Sequence, residues 1–525
     1  RKCFVLTAIA AAVISVIFVI IGIFKLSFRA DEAVQTIKIA LPYCGNIENI
    51  ETNYYKTWLE EQMKVSIEFV YIRENYTNEY LRLMFSSDNS DIDAVFFSYD
   101  SDYITSADLN EYGKQGCLLS IEEYASNEST NLFKLFSKTE ELDLKKYMTC
   151  DDGHIYYMPC YENARQAKTA QVLWINTGWL KTLNLEIPET TEDFQSVLQA
   201  FKERDPNQNG IADEIPFISC ETDTGLQGYH YLINAFIYDD PQNSYMYLEN
   251  NTVKFAPIDN AWRNAAAYCN TLFEEGLLSD RSFSYSRNQF TQLINDKNNV
   301  VGAFTSSSIA DVVNADLNRY IGVAPLTGPD GIQLAAVQTV LPTIGAVITS
   351  QCDNPQTVFD LLDLMLSEEA SLIGKYGEQG VDWEFGQTGD ISQYGEKAFI
   401  YLKNNIAGVL QNSNFSGYGP AAVPPIYLDG TTWNGIQTDR NYINVRTSMN
   451  YERFYPAERL NSVLTLDTQA LITGEKISDY AQNMLVLFIT GKLDIRDDKQ
   501  WEEYLKHYDN LSLEAFLKEA EGALK

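Results

Sequence analysis

Three stretches near the start of the chain decide the fold: TIKIAL (36–41), VSIEFVYI (65–72) and DIDAVFF (91–97). The first two alternate apolar and polar residues, as half-buried strands do. The third ends in a continuous apolar run, which is typical of a strand covered on both faces. Residues 53–63 and 77–86, which lie between these stretches, place apolar side chains at helical spacing. The order β-α-β-α-β predicts a parallel sheet with covering helices, and therefore an α/β fold.

The rest of the chain leaves this pattern, returns to it and ends in helices. The later elements are predicted as helices 190–203 and 260–276, strands 299–304, 320–324 and 344–349, and helices 355–372 and 476–520. A chain of 525 residues is too long for one core. A chain that leaves a domain and returns to it typically forms two lobes, with ligand bound between them at the carboxyl ends of strands. We expect lobe 1 to contain 36–155 and 300–350, and a helix-rich lobe 2 to contain 156–299 and 351–525.

The composition restricts the class of partner. The formal net charge of −33 argues against nucleic acid and favours a neutral or cationic ligand. The chain has only three histidines, and it carries no G-x-S-x-G, H-E-x-x-H or paired C-x-x-C motif. Aromatic residues make up 13% of the chain, including 33 tyrosines, and such rings suit wet binding clefts.

The N-terminal stretch is apolar enough to cross a membrane. Residues 3–24 carry no charge, and as a helix they would span about 33 Å, against about 30 Å for a hydrocarbon core. We therefore expect residues 1–30 to be a retained membrane anchor, with a cleaved signal segment as the alternative. The seven later cysteines are read as mostly buried thiols, with a local bridge between Cys150 and Cys160 as the alternative.

The loop RDPNQNGIADEIPF (204–217) places oxygen-bearing side chains around a glycine. Counted from Asp205, oxygens fall at positions 1, 3 and 5 and glycine at position 6, as in the calcium loop of an EF-hand. Pro216 occupies the position of the EF-hand glutamate, so neighbouring carboxylates have to supply the remaining oxygens. This spacing predicts a structural calcium site rather than a solvated turn. The predicted ligands are Asp205, Asn207, Asn209, Ile211 through its carbonyl, Asp213 and Glu214.

Longer motifs occur in a specific order along the chain. They are DGHIYYMP (152–159), LNLEIPETTEDFQSVLQAFKERDPNQNGIADEIP (183–216), APLTGPDG (324–331), NPQTVFDLLDLMLSEEASLIGKYGEQGVDWEF (354–385) and ITGKLDIRDDKQWEEYLKHYDNLSLEAFLK (489–518). Together they resemble the extracellular solute-binding proteins of carbohydrate ABC transporters. The resemblance covers most of 36–525. Two departures are WINTGWL (174–180), where relatives often carry Arg-x-Asp, and the lack of a lipoprotein cysteine after the apolar run.

The resemblance implies a two-lobed periplasmic-binding-protein-like fold with a hinge, which closes around a sugar and delivers it to ABC permease subunits. It also implies that the loop at 205–214 holds calcium. We expect a monomer at the extracellular face of the membrane, without enzymatic activity. The alternatives are a membrane-anchored sugar sensor without a transporter and a glycoside hydrolase, which would need two carboxylates at a fixed separation.

Sugars are held by aromatic faces and by polar side chains that reach hydroxyl groups. The tryptophans come from the GVDWEF motif, from the Gly/Pro-rich stretch 411–435 and from the stretch after the first crossover. The predicted ligand-binding residues are Trp383, Trp433, Trp174, Tyr229, Tyr161 and Glu162.

Overall fold

The structure is a computed structural model, and it describes residues 34–72, 77–85, 91–98, 104–138, 142–221, 224–314, 316–404, 409–458, 460, 466 and 468–523. The strands, numbered β1 to β14 in chain order, are Thr36–Pro42, Ser66–Ile72, Ala94–Phe96, Tyr157–Cys160, Val172–Asn176, Ile215–Ile218, Met246–Glu249, Thr252–Phe255, Val301–Ser306, Tyr320–Val323, Thr343–Ile348, Trp383–Phe385, Ile400–Leu402 and Thr431–Trp433.

The α-helices pack around these strands and also form the end of the chain. They are Tyr54–Met63, Thr77–Phe85, Ser106–Lys114, Glu122–Ala125, Asn131–Lys138, Leu144–Met148, Thr177–Leu183, Thr191–Glu203, Gly228–Ile233, Asn260–Glu274, Arg287–Ile294, Pro355–Met365, Glu368–Tyr376, Pro425–Asp429, Arg440–Met449, Thr468–Ile489, Asp498–Asn510 and Leu513–Ala523.

The first sheet has the strand order β2-β1-β3-β11-β4. β1 pairs in parallel with β2 and β3, as predicted from the opening stretches. β11 runs antiparallel to both of its neighbours. Ile37, Ile39 and Leu41 of β1 are fully buried, and they pack in one core with Val358 and Leu362. The helix Pro355–Met365 therefore belongs to lobe 1, and its predicted place in lobe 2 is wrong.

The second sheet has the strand order β10-β5-β9-β6. β9 pairs in parallel with β6, while β5 runs antiparallel to β9 and β10. The prediction that all of 300–350 lies in lobe 1 is therefore corrected, because only β11 joins the first sheet. Apolar periodicity indicates a strand but carries no information about its pairing partner, so β9 and β10 could not be assigned from sequence.

Local signals set several helix boundaries. Thr190 and Asp193 form a capping box at the start of Thr191–Glu203, and Phe194 and Phe201 on its inner face are fully buried. The predicted helix 355–372 is instead two helices, because the Ser367 side chain accepts a hydrogen bond from the Ala370 N–H and starts a second one. The Gly/Pro-rich stretch 411–435 contains β14 and the short helix Pro425–Asp429.

Two chain segments connect the sheets. Residues 161–171 lead from β4 to β5, and residues 324–342 lead from β10 to β11. The two crossovers are joined to each other, since Thr169 forms a bridge with Val337 and the Gln338 N–H donates to the Lys168 carbonyl at 2.9 Å. A paired connection of this kind fixes the spacing of the lobes while leaving their faces separate, as a hinge requires.

The predicted anchor at 1–30 lies outside the described residues. Among the residues that the structure describes, no helix is long and apolar enough to cross a membrane. Within the described part of the chain, Cys150 and Cys160 are not joined in a disulfide.

Candidate functional site

The site is defined by the sheet edges at which the crossovers leave and enter. In lobe 1, the carboxyl ends of β1, β3 and β4 share one edge, because β1 and β3 are parallel and β4 is linked to β3 through the antiparallel β11. In lobe 2, the end of β9 at Ser306 lies opposite the start of β5 at Val172. The crossover 161–171 joins these two edges, so they face each other across the connection. This is the position at which α/β proteins bind ligands.

Two exposed tyrosines lie at the lobe 1 edge. Tyr43 follows β1 and is 60% exposed, while Tyr71 lies near the end of β2 and is 43% exposed. Their ring centroids are 5.7 Å apart with planes inclined by 56°. Burial raises the pKa of the Tyr71 hydroxyl, which keeps it protonated and able to donate a hydrogen bond. Two tilted rings with free faces can hold the apolar side of a ring-shaped ligand.

The same edge carries an amide whose oxygen lacks a hydrogen-bond donor. Asn46 lies in the loop after β1, and its Oδ1 is buried without a partner among the described residues. Its backbone carbonyl accepts from the Gln411 N–H at 3.0 Å, which fixes the loop against the Gly/Pro-rich stretch. The sequence prediction missed Tyr43, Tyr71 and Asn46. The sequence signal that could have identified these residues is their position at, or just after, the end of a predicted parallel strand.

At the lobe 2 edge, polar side chains follow β6 and precede β5. Gln171, in the crossover, donates from Nε2 to the Gln227 carbonyl at 3.0 Å. Gln227 in turn donates from Nε2 to the Glu221 carbonyl at 3.1 Å. Glu221 is therefore connected to the crossover through two hydrogen bonds and lies at the facing edge.

The crossover itself contains Tyr161 and Glu162. Tyr161 is 7% exposed, packs against Leu142 and Leu144, and lines a cavity of about 430 Å³. A carboxylate oxygen of Glu162 pairs with Lys375, whereas its Oε1 is buried without a hydrogen-bond donor among the described residues. Glu162 thus keeps one acceptor available at the base of the two lobes.

Arg165 anchors the crossover to two later segments. Its Nε and Nη2 donate to the two carboxylate oxygens of Glu452 at 2.8 and 2.7 Å, and its Nη1 donates to Glu396 at 3.1 Å. Its backbone N–H donates to Asp429 at 3.0 Å, and its guanidinium lies 4.3 Å from the Tyr394 ring centroid. A bidentate pair of this kind holds the crossover in one orientation.

Three of the predicted ligand-binding aromatic residues lie in cores instead. Trp174 is fully buried in β5 and donates from Nε1 to the Ser306 carbonyl at 3.2 Å. Tyr229 is fully buried in the core of lobe 2, and Trp383 is 2% exposed and donates to the Gly377 carbonyl at 2.8 Å. None of these rings offers a face to a ligand in this structure, so the stacking role predicted for them is corrected. These rings are buried because they pack in the cores, and the sequence motifs around them do not indicate that burial.

Trp433 remains half-buried. It lies at the end of β14, and its ring centroid is 3.8 Å from that of Tyr442 in the helix Arg440–Met449. The structure therefore separates the six predicted residues: Tyr161 and Glu162 share the crossover, Trp433 lies in the three-stranded sheet β12-β13-β14, and the others are core residues.

The loop 205–214 closes on itself through its own polar groups. Asp205 accepts from the backbone N–H of Asn209 at 3.1 Å and of Gly210 at 3.0 Å. The amide nitrogens of Asn207 and Asn209 donate to Asp213 at 3.1 and 3.0 Å. Gly210 has a φ of +73°, a left-handed turn that favours glycine. Within the described chain, no group of three or more His, Cys, Asp or Glu side chains is arranged to hold a metal ion.

Glu214 gives this loop an unbalanced charge. Its Oε1 is buried without a hydrogen-bond donor in the described part of the chain. Burial raises the pKa of Glu214, and the nearby carboxylates of Asp213 and Asp205 raise it further. A cation bound among these oxygens would offset both the burial of the Glu214 carboxylate and the repulsion from its neighbours. The donor set therefore fits calcium, which prefers several carboxylate, amide and carbonyl oxygens.

Comparison with known proteins identifies the class of protein that this fold and site define. Residues 49–371 match the sequence model of the family described as bacterial extracellular solute-binding protein. The match covers more than half of the chain, so the chain belongs to this family, and the predicted family is confirmed.

The similar proteins can be named individually. The fructooligosaccharide ABC transporter substrate-binding protein FusA of Streptococcus pneumoniae is 26% identical over 446 residues, which cover 79% of this chain and 77% of FusA. The lipoprotein LipO of Bacillus subtilis is 24% identical over 375 residues, covering 68% of this chain and 69% of LipO.

Solved structures support the same fold. The structure of FusA in complex with kestose has a TM-score of 0.69 and 22% identity, covering 93% of this chain and 98% of that one. An HMO-binding, ABC-transporter-associated solute-binding protein of Bifidobacterium longum infantis has a TM-score of 0.70 and 18% identity, covering 94% and 99%. The predicted two-lobed α/β fold is confirmed. A further structure, with a TM-score of 0.68, is of a FusA EF-hand mutant in complex with fructo-nystose.

Proposed function

We propose that this protein binds a neutral oligosaccharide between the facing edges of its two sheets and delivers it to the permease of an ABC transporter. The observation that carries the proposal is the pair of exposed tyrosines, Tyr43 and Tyr71, at the edge where lobe 1 faces lobe 2. Rings with free faces stack on the C–H side of a sugar, and their hydroxyls reach its polar groups. Unpartnered acceptors at the same site, Asn46 and Glu162, suit hydroxyl donors.

The ligand class is further supported by the relatives and by charge. FusA is named for fructooligosaccharides, and the Bifidobacterium protein is described as HMO-binding. The net charge of −33 disfavours anionic ligands. Tyr161, Glu162 and Trp433 remain proposed ligand residues from the sequence prediction, and Tyr43, Tyr71 and Asn46 are added to them. The protein binds the sugar without converting it and acts as a monomer.

Calcium is proposed to stabilise the loop 205–214. The support is the buried, unpartnered oxygen of Glu214, together with the carboxylates of Asp205 and Asp213. Turning the amides of Asn207 and Asn209 over would bring their oxygens to the ion. The loop follows the helix Thr191–Glu203 and precedes β6, so the ion would tie two elements of lobe 2 together. The ion has a structural role and does not contact the sugar.

The site of action is proposed to be the extracellular face of the cell membrane. The family is extracellular, and the apolar residues 3–24 provide either an anchor or a cleaved signal segment. Mass spectrometry of the mature N-terminus in the native cell envelope separates the two.

Isothermal titration calorimetry with a panel of ligands tests the binding proposal. The panel contains kestose, lacto-N-tetraose, maltotriose and cellotriose as neutral sugars, a trigalacturonate as an anionic sugar, and a mixture of short peptides. We expect saturable binding of at least one neutral sugar with one site per chain. Binding of peptides alone, or no binding to any sugar in the panel, would contradict the proposal.

Replacing Tyr43 with alanine is expected to weaken the binding of that neutral sugar by about tenfold, because one stacking face is lost. The side chain is mostly exposed, so the melting temperature should change little. Tyr247→Ala in the β7–β8 hairpin is the control, since this residue lies at neither facing edge. An unchanged dissociation constant for Tyr43→Ala would remove Tyr43 from the site.

A further inference from the structure

A chain of hydrogen-bonded polar groups runs through the core of lobe 2. It begins at the fully buried pair of His230 and Asp239, whose Nδ1 and Oδ2 are 2.5 Å apart. The other carboxylate oxygen of Asp239 accepts from Trp262 Nε1 at 3.2 Å. An apolar core carries such groups only when they satisfy one another. Following these hydrogen bonds from one group to the next identifies the side chain that the network holds in place.

The next member is Gln482, from the helix Thr468–Ile489. Its Oε1 lies 3.0 Å from His230 Nε2 and accepts from the Tyr245 hydroxyl at 2.8 Å. Its Nε2 donates to the Tyr229 hydroxyl at 2.6 Å. The amide is thus held at both ends, and the Tyr229 oxygen is used as an acceptor. The hydroxyl proton of Tyr229 is left to donate elsewhere.

The carboxylate of Glu221 lies close enough to the Tyr229 hydroxyl for each group to shift the pKa of the other. Burial raises the pKa of Glu221, and His230 and the Tyr229 hydroxyl oppose only part of this rise. The remaining oxygen, Oε1, is buried without a donor within the described chain. A buried carboxylate oxygen without a donor is costly and needs one from outside the protein.

Glu221 lies where such a donor would arrive. It follows the carboxyl end of β6, and its backbone carbonyl is linked through Gln227 and Gln171 to the crossover at the facing edges.

We infer that Glu221 is the lobe 2 residue that accepts a hydroxyl of the bound sugar, and that it selects neutral sugars over sugars with a carboxylate at that position. The inference rests on the proposed function and adds the residue and the specificity. Tyr229 and Gln482 are positioning residues, which hold the carboxylate but do not touch the ligand. A ligand carboxylate placed against the ionised Glu221 would face a like charge.

The test measures binding of each neutral sugar in the calorimetric panel to Glu221→Ala and Glu221→Gln. For the sugars that bind the wild type, the alanine variant is expected to weaken binding by about 10- to 100-fold. Glutamine should weaken binding less and reduce the preference for neutral sugars over trigalacturonate. Tyr229→Phe removes the hydroxyl beside Glu221 and should give an intermediate loss. Glu186→Ala removes an exposed carboxylate elsewhere in lobe 2 and should bind as the wild type does.

The melting temperature of the ligand-free variants separates binding from structure. A ligand-binding role predicts a ligand-free melting temperature near that of the wild type and a smaller rise on adding sugar. Glu221 variants that bind like the wild type, or that melt lower with unchanged affinity, would overturn the inference while leaving the proposed function intact. Failure of the wild type itself to bind any sugar would reject the proposed function, and the inference with it.

Discussion

Replacing Trp174 with alanine is expected to lower the melting temperature by about 6–20 °C. The side chain is fully buried in β5, and its Nε1 donates to the Ser306 carbonyl on the neighbouring β9. It also covers Gly322 of β10, where an added side-chain carbon would lie 3.2 Å from the indole. Truncating a buried tryptophan costs about 3–5 kcal/mol of unfolding free energy, and 1 kcal/mol is worth about 2–4 °C in a domain of this size.

Thermal unfolding followed by circular dichroism measures this effect, with sugar affinity measured on the folded fraction. Trp433→Ala is the matched substitution, because this half-buried tryptophan is a proposed ligand residue. This variant should lower the melting temperature less than Trp174→Ala does, and it should weaken sugar binding more. A Trp174→Ala protein that melts like the wild type but has lost sugar binding would support a ligand role for Trp174, and would contradict its assignment to the core.

Removing calcium is expected to lower the melting temperature by about 5–10 °C. An ion present at 100 times its dissociation constant stabilises the folded state by about 2.7 kcal/mol, which corresponds to this shift at about 2–4 °C per kcal/mol. The physical cause is local: without a cation, burial raises the pKa of Glu214, and the carboxylates of Asp213 and Asp205 raise it further. The measurement is a melt in EDTA, followed by a melt after calcium is restored.

The Asp213→Asn variant distinguishes the loss of calcium from this loop from other effects of the chelator. The variant removes one proposed ligand charge, so its melting temperature should no longer respond to EDTA or to calcium. Magnesium is the control ion, since it prefers fewer protein ligands and more water. Equal melting temperatures of the wild type in EDTA and in calcium, with no metal found by native mass spectrometry, would reject the calcium site.

Much of the fold could be predicted from the sequence because it depends on local patterns. Alternation in β1 and β2, the apolar run of β3 and the capping box at Thr190 each act over a few residues. Pairing depends on distant residues. β9 and β10 have the same apolar character as β11, yet only β11 joins the first sheet. The helix Pro355–Met365 could not be assigned to lobe 1 from its own apolar face, which would fit either core.

The candidate site was harder to predict than the fold. Motif position favoured Trp174 and Trp383, but a motif reports similarity and not the direction of a side chain, and both are buried. Tyr43 and Tyr71 belong to no motif, although their place at strand ends was visible in the sequence. Glu221 gains its role from Tyr229 and Gln482, and the latter lies 253 residues from the former. No sequence pattern links positions so far apart.

The most direct test of the account is the crystal structure of the complex with the neutral sugar that binds most tightly. The account predicts density for the sugar between the lobes, with one sugar ring against Tyr43 and Tyr71 and a hydroxyl within hydrogen-bond distance of Glu221 Oε1. Density confined to a depression away from both facing edges, such as the one lined by Asn127, Gln356 and Asp360, would contradict it.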